Sequence, residues 1–368
     1  MLARLVAAWP RVGERLASAP LGAFPTPVRR AAGLEQELRA GPLYVKRDDL
    51  SSPIYGGNKI RSLELLFGVA RARGAREIVA VGPYGSNQAV ATVLHAPSVG
   101  LLASAILFAQ PVSRAALANL RVTLAHSEDV VALPHWALVP AAMWKARDPK
   151  RFVMPPGGAT ADGALGYVAA GLELAQQIAS GEMQAPSAVY VPVGSACTSA
   201  GLLLGLSYAG RLGLLASGSP RVVAVRVTPW PVTSRLRILS LAVRCSRRLS
   251  ELAGEPELEL SNAELGPHLE VDGRELGRGY GFPTARGLEA LSRMERCEGL
   301  TLDPIYSGKA AAAFVRDARA GREGPLLFWA TKSSAALPEV PAGPARCPSI
   351  VSGWIRDGEA SSEQAEWR

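Results

Sequence analysis

The chain has 368 residues, 48% of them hydrophobic and 20% charged, with a formal net charge of +8. Those proportions exclude a disordered chain, a collagen-like chain and a coiled coil, and leave room for one large α/β unit or two domains. The four cysteines (Cys197, Cys245, Cys297, Cys347) include no CxxC pair, which excludes a disulfide-built secreted scaffold and fits a reducing compartment.

The opening MLARLVAAWPRVGERL is interrupted by Arg4, Pro10 and Arg11 and does not read as a signal peptide. Residues 1–45 are helix-prone around an extended Phe24-Pro25-Thr26-Pro27 break, and 43–46 is a short strand. Gly56-Gly57 is a turn. A helix follows, with Asn58 as its expected N-cap and Lys59 in its first turn. Strands are expected at 77–82, 101–108 and 130–133. The stretch 78–113 carries only His95 as a titratable group. Pro83, Pro97 and Pro111 cut it to strand and short-helix lengths, so it predicts a buried strand–helix–strand rather than a membrane span.

After Pro155-Pro156-Gly157-Gly158 the alternation resumes. A helix is expected over 166–178, strands at 187–193, 221–227 and 325–329, and a helix over 199–211 behind the small-residue loop 194–198. This strand–loop–helix order predicts βαβ units and mostly parallel, buried sheets. Arg235, Arg237, Arg244, Arg247 and Arg248 read as a solvated helix face. Without aromatic interleaving or a recognisable module they do not predict a nucleic-acid partner. The tail from 338 onward reads as peripheral or disordered.

The chain has no GxxxxGK[ST], HExxH, CxxC or GxSxG motif, and its four histidines are scattered, so no metal site is expected. Three features remain. Lys59, one of only six lysines, follows Gly-Gly-Asn and opens a helix, where the dipole favours the neutral amine that imine chemistry needs. Gly194-Ser195-Ala196-Cys197-Thr198 lies between a buried strand and a helix, so its backbone N–H groups can cup a phosphate monoester. Gly85-Ser86-Asn87-Gln88 is a second polar loop at a strand's carboxyl end. An imine-forming lysine and a phosphate-monoester cup together point to pyridoxal phosphate.

The order of these stretches is similar to that of the fold type II pyridoxal-phosphate enzymes, the tryptophan-synthase-β-like superfamily. Within it, the chain resembles the 1-aminocyclopropane-1-carboxylate deaminase / D-cysteine desulfhydrase family. The likeness is carried by YVKRDDLSSPIYGGNKIRSLELL (44–66), GSNQA (85–89), PPGGATADGALGYVAAGLEL (155–174), VPVGSACTSAGLLLGL (191–206), GYGFPT (279–284) and LDPIYSGKA (302–310). It implies a two-domain α/β fold, each domain an open, mostly parallel twisted sheet flanked by helices, with the cofactor in the cleft between them. The larger domain would comprise 1–48 plus 160–337 and the smaller 49–159. By the same resemblance, Lys59 would bind the cofactor covalently and move the substrate's proton, and Asn87 would bond the cofactor's 3′-oxygen. Ser86 and Gln88 would meet the substrate carboxylate, with Ser86 also placed to join in proton transfer. Gly194, Ser195, Ala196, Cys197 and Thr198 would hold the phosphate. Tyr280 and Tyr306 would face the substrate, and Thr331 would lie near the pyridine nitrogen.

Two positions bear on the reaction. The deaminase type carries Glu after the tyrosine of DPxY and Leu in the later loop, the desulfhydrase type Thr at both. This chain has Ser307 and Thr331. The resemblance therefore implies a lyase that eliminates a β-group from a small amino acid such as D-cysteine, giving a 2-oxo acid, ammonia and sulfide. The alternatives are cyclopropane ring opening, β-replacement, racemisation, or a cofactor-binding protein without turnover. Ala196 and Cys197 stand where the family's phosphate loop has glycines, and Ala330-Thr331-Lys332-Ser333 replaces its HTGG; both departures lie at the cofactor. A cytoplasmic homodimer, with no membrane or nucleic-acid partner, is the expectation that follows.

Overall fold

The computed structural model describes residues 1–216, 218–340 and 348–364, with side chains to 357 in the final helix. Ten strands form two sheets. The first is six-stranded. It contains β1 (Val28–Arg30), β2 (Leu43–Lys46), β7 (Ala188–Val193), β8 (Arg221–Arg226), β9 (Leu269–Asp272) and β10 (Leu326–Trp329), in the order β1-β2-β10-β7-β8-β9. Only the β1–β2 pair is antiparallel. The second sheet is wholly parallel. It orders β3 (Glu77–Pro83), β4 (Leu102–Phe108), β5 (Val130–Leu133) and β6 (Arg151–Val153) as β5-β4-β3-β6. The central strands β7 and β3 are continuous apolar runs because helices cover both faces of each sheet.

The strand order locates the cleft. From β7 the chain moves one way, to β8 and β9, and β10 later inserts on the other side. From β3 it moves to β4 and β5, and β6 inserts on the other side. Each sheet thus has a switch point at the carboxyl end of its central strand, where open α/β sheets bind ligands. The loop after β7 is 194–196, and the loop after β3 is 84–86.

Two helices between the sheets fix their relation. Ala161–Ala179 packs on Cys197–Arg211 and Lys59–Ala72. Any side chain at Gly201 or Gly205 would collide with the Ala164 or Val168 carbonyl, which explains the small residues along this seam. The charge-poor stretch 78–113 is a buried strand–helix–strand, as its prolines imply. Among the described residues, no helix is long and apolar enough to cross a membrane. In Arg235–Ala253, Arg235, Arg237, Arg244 and Arg247 are exposed while Ile238, Leu241, Ala242 and Leu249 are buried, the amphipathic face that the spacing predicts.

Two expectations change. Where peripheral or disordered chain was expected, Ser349–Gln364 is a helix. Its Val351 is buried, and its Trp354 stacks on Tyr84 at 5.0 Å between ring centroids. Residues 341–347 and 365–368 of that tail lie outside the described residues. Asn58 precedes its helix, yet its side chain does not cap it; the amide has a partner across the cleft.

Candidate active site

The segment after β7 meets the starts of Lys59–Ala72 and Ala161–Ala179. Asn58 Nδ2 donates to Thr198 Oγ1 at 2.9 Å, pinning the first turn of Lys59–Ala72 to the loop after β7. Gly57, at φ +95°, lies so close to the loop after β10 that a Cβ would stand 2.6 Å from the Thr331 carbonyl oxygen, and Asn58 N donates to that oxygen at 3.2 Å. From the smaller sheet, Gly157 (φ +72°) leaves no room for a side chain beside Ser195 Oγ, and Cys197 Sγ donates to the Gly158 carbonyl at 3.3 Å.

The loop after β7 has the form of an anion cup. Several long helices in this chain open on a Ser or Thr whose oxygen accepts a backbone N–H, as Ser113, Thr160, Ser234 and Thr284 do. Cys197–Arg211 opens on Ala196, which has no such oxygen. The N–H groups of its first turn are therefore left for a ligand. Ser199 Oγ, fully buried in that turn, has no protein partner among the described residues. A phosphate monoester fits this donor set.

Lys59 lies beside the cup. Burial lowers its amine below the ordinary lysine range. No carboxylate lies within 4.0 Å of it among the described residues. Its neighbour Cys197 is pushed up to about 12 by burial, so that thiol is neutral at pH 7 and supplies no counter-charge. An unpaired, desolvated amine beside an anion cup fits the covalent attachment of an aldehyde that carries a phosphate.

The loop after β3 supplies the opposite wall. Asn87 Oδ1 accepts from Tyr55 OH and from Asn119 Nδ2, both at 2.9 Å. Its oxygen is thereby committed and its Nδ2 is the end left to donate, as a phenolic oxygen requires. Ser86 Oγ accepts from Ala89 N at 3.2 Å and caps Asn87–His95, leaving its own proton available. Gln88 departs from expectation. Its side chain is 2% exposed and turned toward Met154, and Oε1 has no partner among the described residues. What Gln88 offers the cleft is its backbone N–H, which with that of Asn87 is free in the first turn of the helix.

Tyr306 closes the third side. A Cβ on Gly194 would stand 3.6 Å from its ring, and its hydroxyl donates to Tyr280 OH at 2.8 Å. Burial pushes Tyr306 up to about 12 and Tyr280 well above its ordinary value, so both are neutral proton donors at pH 7. Asp303 holds this corner by accepting from the backbone N–H of Ile305, Tyr306 and Ser307, and from the Ser307 hydroxyl. Thr331 follows β10 beside the cup. Its carbonyl serves Asn58, and its hydroxyl has no protein partner among the described residues.

Comparison with known proteins agrees with this geometry. The family model "pyridoxal-phosphate dependent enzyme" matches residues 20–331. The chain belongs to that family. It is 32% identical over 327 residues to the D-cysteine desulfhydrases of Salmonella paratyphi C (strain RKS4594) and Salmonella choleraesuis (strain SC-B67), covering 85% of this chain and 93% of each relative. Among solved structures it is similar to an ACC deaminase homologue, at 27% identity and a TM-score of 0.67 over 91% of this chain and 96% of that one. The fold is therefore fold type II, the cofactor is pyridoxal phosphate, and the protein is a pyridoxal-phosphate-dependent lyase.

Sequence reasoning missed three residues of the site. Tyr55 lay unremarked beside Gly56-Gly57. Asp303 lay inside a quoted motif, its role visible only as hydrogen bonds. Asn119 sits in the middle of Arg114–His126, where no local signal separates it from other polar helix residues.

Proposed function

We propose that this protein eliminates the β-thiol of D-cysteine, releasing a 2-oxo acid, ammonia and sulfide. The observation that carries the chemistry is the Asn58–Thr198 bond, which sets an amine without a counter-charge beside an open anion cup. When bound, pyridoxal phosphate supplies an electron sink for charge developing at the substrate's Cα.

The chain's own residues would divide the work. The loop 194–198 would hold the phosphoryl group, Asn87 Nδ2 would bond the phenolic oxygen, and the Thr331 hydroxyl would serve the ring nitrogen. The free N–H groups of Asn87 and Gln88 receive the substrate carboxylate, and the Ser86 hydroxyl adds a donor. Lys59, whose amine burial lowers below the ordinary lysine range, takes the proton from Cα. Tyr306 and Tyr280, joined by one hydrogen bond, give a proton to the departing sulfur.

A hydroxyl rather than a carboxylate at 307, and threonine rather than leucine at 331, favour elimination over ring opening. A neutral ring nitrogen is a sink sufficient for a good leaving group. The 32% identity to D-cysteine desulfhydrases supports the same choice. The boundaries 49–159 and 1–48 plus 160–337 are part of the proposal, supported by each sheet's strands falling within one of them. So are a cytoplasmic location, supported by three free thiols among the described residues, and a homodimer, supported by the family resemblance.

The test is to load the protein with pyridoxal phosphate and measure sulfide and 2-oxo acid from D-cysteine, L-cysteine and 1-aminocyclopropane-1-carboxylate. Equal amounts of both products from D-cysteine are expected. Turnover of the cyclopropane amino acid without sulfide release from D-cysteine would reject this reading in favour of ring opening.

A further inference from the structure

We infer that Lys332 is a positioning residue for the cofactor's oxygen-bearing edge, acting through Tyr55 on Asn87. This inference rests on the Asn87 assignment proposed above. Lys332 Nζ lies 3.2 Å from Tyr55 OH and 4.9 Å from the centre of the same ring. Tyr55 OH in turn lies 2.9 Å from Asn87 Oδ1. Three linked groups thus run from the loop after β10 to the loop after β3.

Donor chemistry fixes the direction of this chain. An ammonium only donates, so the Tyr55 oxygen accepts from it. The single Tyr55 proton must then go onward, and the atom within reach is Asn87 Oδ1. Asn119 Nδ2 donates to that oxygen as well. With Oδ1 receiving two donors, the Asn87 amide cannot turn over, and Nδ2 stays directed at the ligand. Asn119 Nδ2, held by the Gly85 carbonyl, fixes Asn87 Oδ1 as an acceptor, and Lys332 keeps the Tyr55 proton on that same oxygen.

Lys332 brings charge when protonated. Burial lowers its amine below the ordinary lysine range, and the field of Asp303 works against that shift. Among the described residues no carboxylate lies within 4.0 Å of it. The same Asp303 and the same burial keep Tyr55 protonated. An ammonium three hydrogen bonds from the cofactor's phenolic oxygen favours the anionic form of that oxygen. Removing the cation raises the pH at which bound cofactor changes its absorption.

The experiment compares wild type, Lys332→Met, Lys332→Arg and Tyr55→Phe, each loaded with pyridoxal phosphate. Two quantities are read: the pH midpoint of the bound cofactor's absorption change, and the cofactor dissociation constant. Lys332→Met should raise the midpoint by about half a unit to one unit. Tyr55→Phe should move it the same way, and Lys332→Arg should restore most of the shift. Cofactor binding should weaken severalfold in Lys332→Met and Tyr55→Phe. A normal absorption band with an unchanged midpoint in Lys332→Met overturns the proposal and leaves the cofactor site intact. If Lys332→Met does not fold, Tyr55→Phe, which removes one oxygen atom, decides by the same criterion. Absence of a bound-cofactor band in the wild type overturns both this proposal and the site beneath it.

Discussion

Lys46 is buried and Lys59 half-buried, and only one of them is free to react. Burial pushes both amines below the ordinary lysine range. Lys46 spends all three of its protons at 2.6 Å, on Glu173, Gln177 and the Thr26 carbonyl. Glu173 also accepts from Arg61, which pairs with Asp48, and Asp48 accepts from Trp329 Nε1. This ion cluster anchors the first turn of the helix that Lys59 begins. Lys59 has no such partners, and its amine is left for chemistry. Lys46 is fully enclosed and Lys59 half-buried, but counter-charge divides them as well: a buried cation that is paired holds structure, and one left unpaired is poised to lose its proton.

Lys59→Ala is the sharpest way to break the comparison. It should abolish the bound-cofactor absorption band and lower activity at least about a thousandfold. Circular dichroism should show an unchanged fold. The pH dependence of apo-protein stability carries the sign. Because the Lys59 amine is lowered in the folded state, the unfolded chain binds more protons between the folded value and about 10.5. Stability therefore rises with pH across that window. Denaturant unfolding of Lys59→Ala should lack this increment. A variant that keeps a borohydride-reducible adduct would move the chemistry to another amine.

Lys46→Met should act on the opposite property. Removing one member of a buried cluster leaves the others short of partners, at a cost of about 3 kcal/mol read from the urea midpoint. Cofactor binding should follow stability, with no separate change of absorption. The cluster also predicts an acid limb. Burial alone would raise the Glu173 carboxyl, but Arg61 and Lys46 outweigh it and hold it at about 2. Its contribution is complete above the unfolded value near 4.5 and is lost as pH falls through about 2. A stability curve flat between pH 5 and pH 2 would contradict the paired reading.

Much of this was legible in the sequence because it is written in local pattern. The apolar runs at 77–83 and 188–193 state their burial, and the loops behind them state the carboxyl ends where ligands bind. Lys59 announced itself by scarcity and by Gly56-Gly57. Other features depend on distant contacts and leave no local trace. Asn58 has the spacing of an N-cap and is used instead to bridge to Thr198. Gln88 stands in a polar loop yet points inward, because it is the second residue of a helix whose buried face it joins. Trp354 looks like tail until Tyr84 is seen beneath it. The roles of Asn119 and Asp303 exist only as hydrogen bonds between distant segments, which no periodicity encodes.

The two substitutions in the phosphate loop refine the contrast at its smallest scale. Ala196 and Cys197 stand where the resemblance expects glycine, but the backbone separates them. Ala196 has φ +74°, a conformation that costs an L-residue about 1 kcal/mol. Cys197 is the first residue of a helix without positive φ, and its thiol donates to the Gly158 carbonyl. Ala196→Gly should therefore stabilise the protein. The gain is a few tenths to about 1 kcal/mol, because glycine's greater freedom in the unfolded chain returns part of the relieved strain. Cofactor affinity should stay within about threefold, since the loop already holds the shape that glycine would permit. Cys197→Gly should do the reverse, losing about 0.3 kcal/mol from helix propensity and the thiol bond besides. Urea midpoints of the two variants that moved in the same direction would mean that the cup's backbone is not strained at Ala196. The family likeness at that loop would then rest on residue identity rather than on conformation.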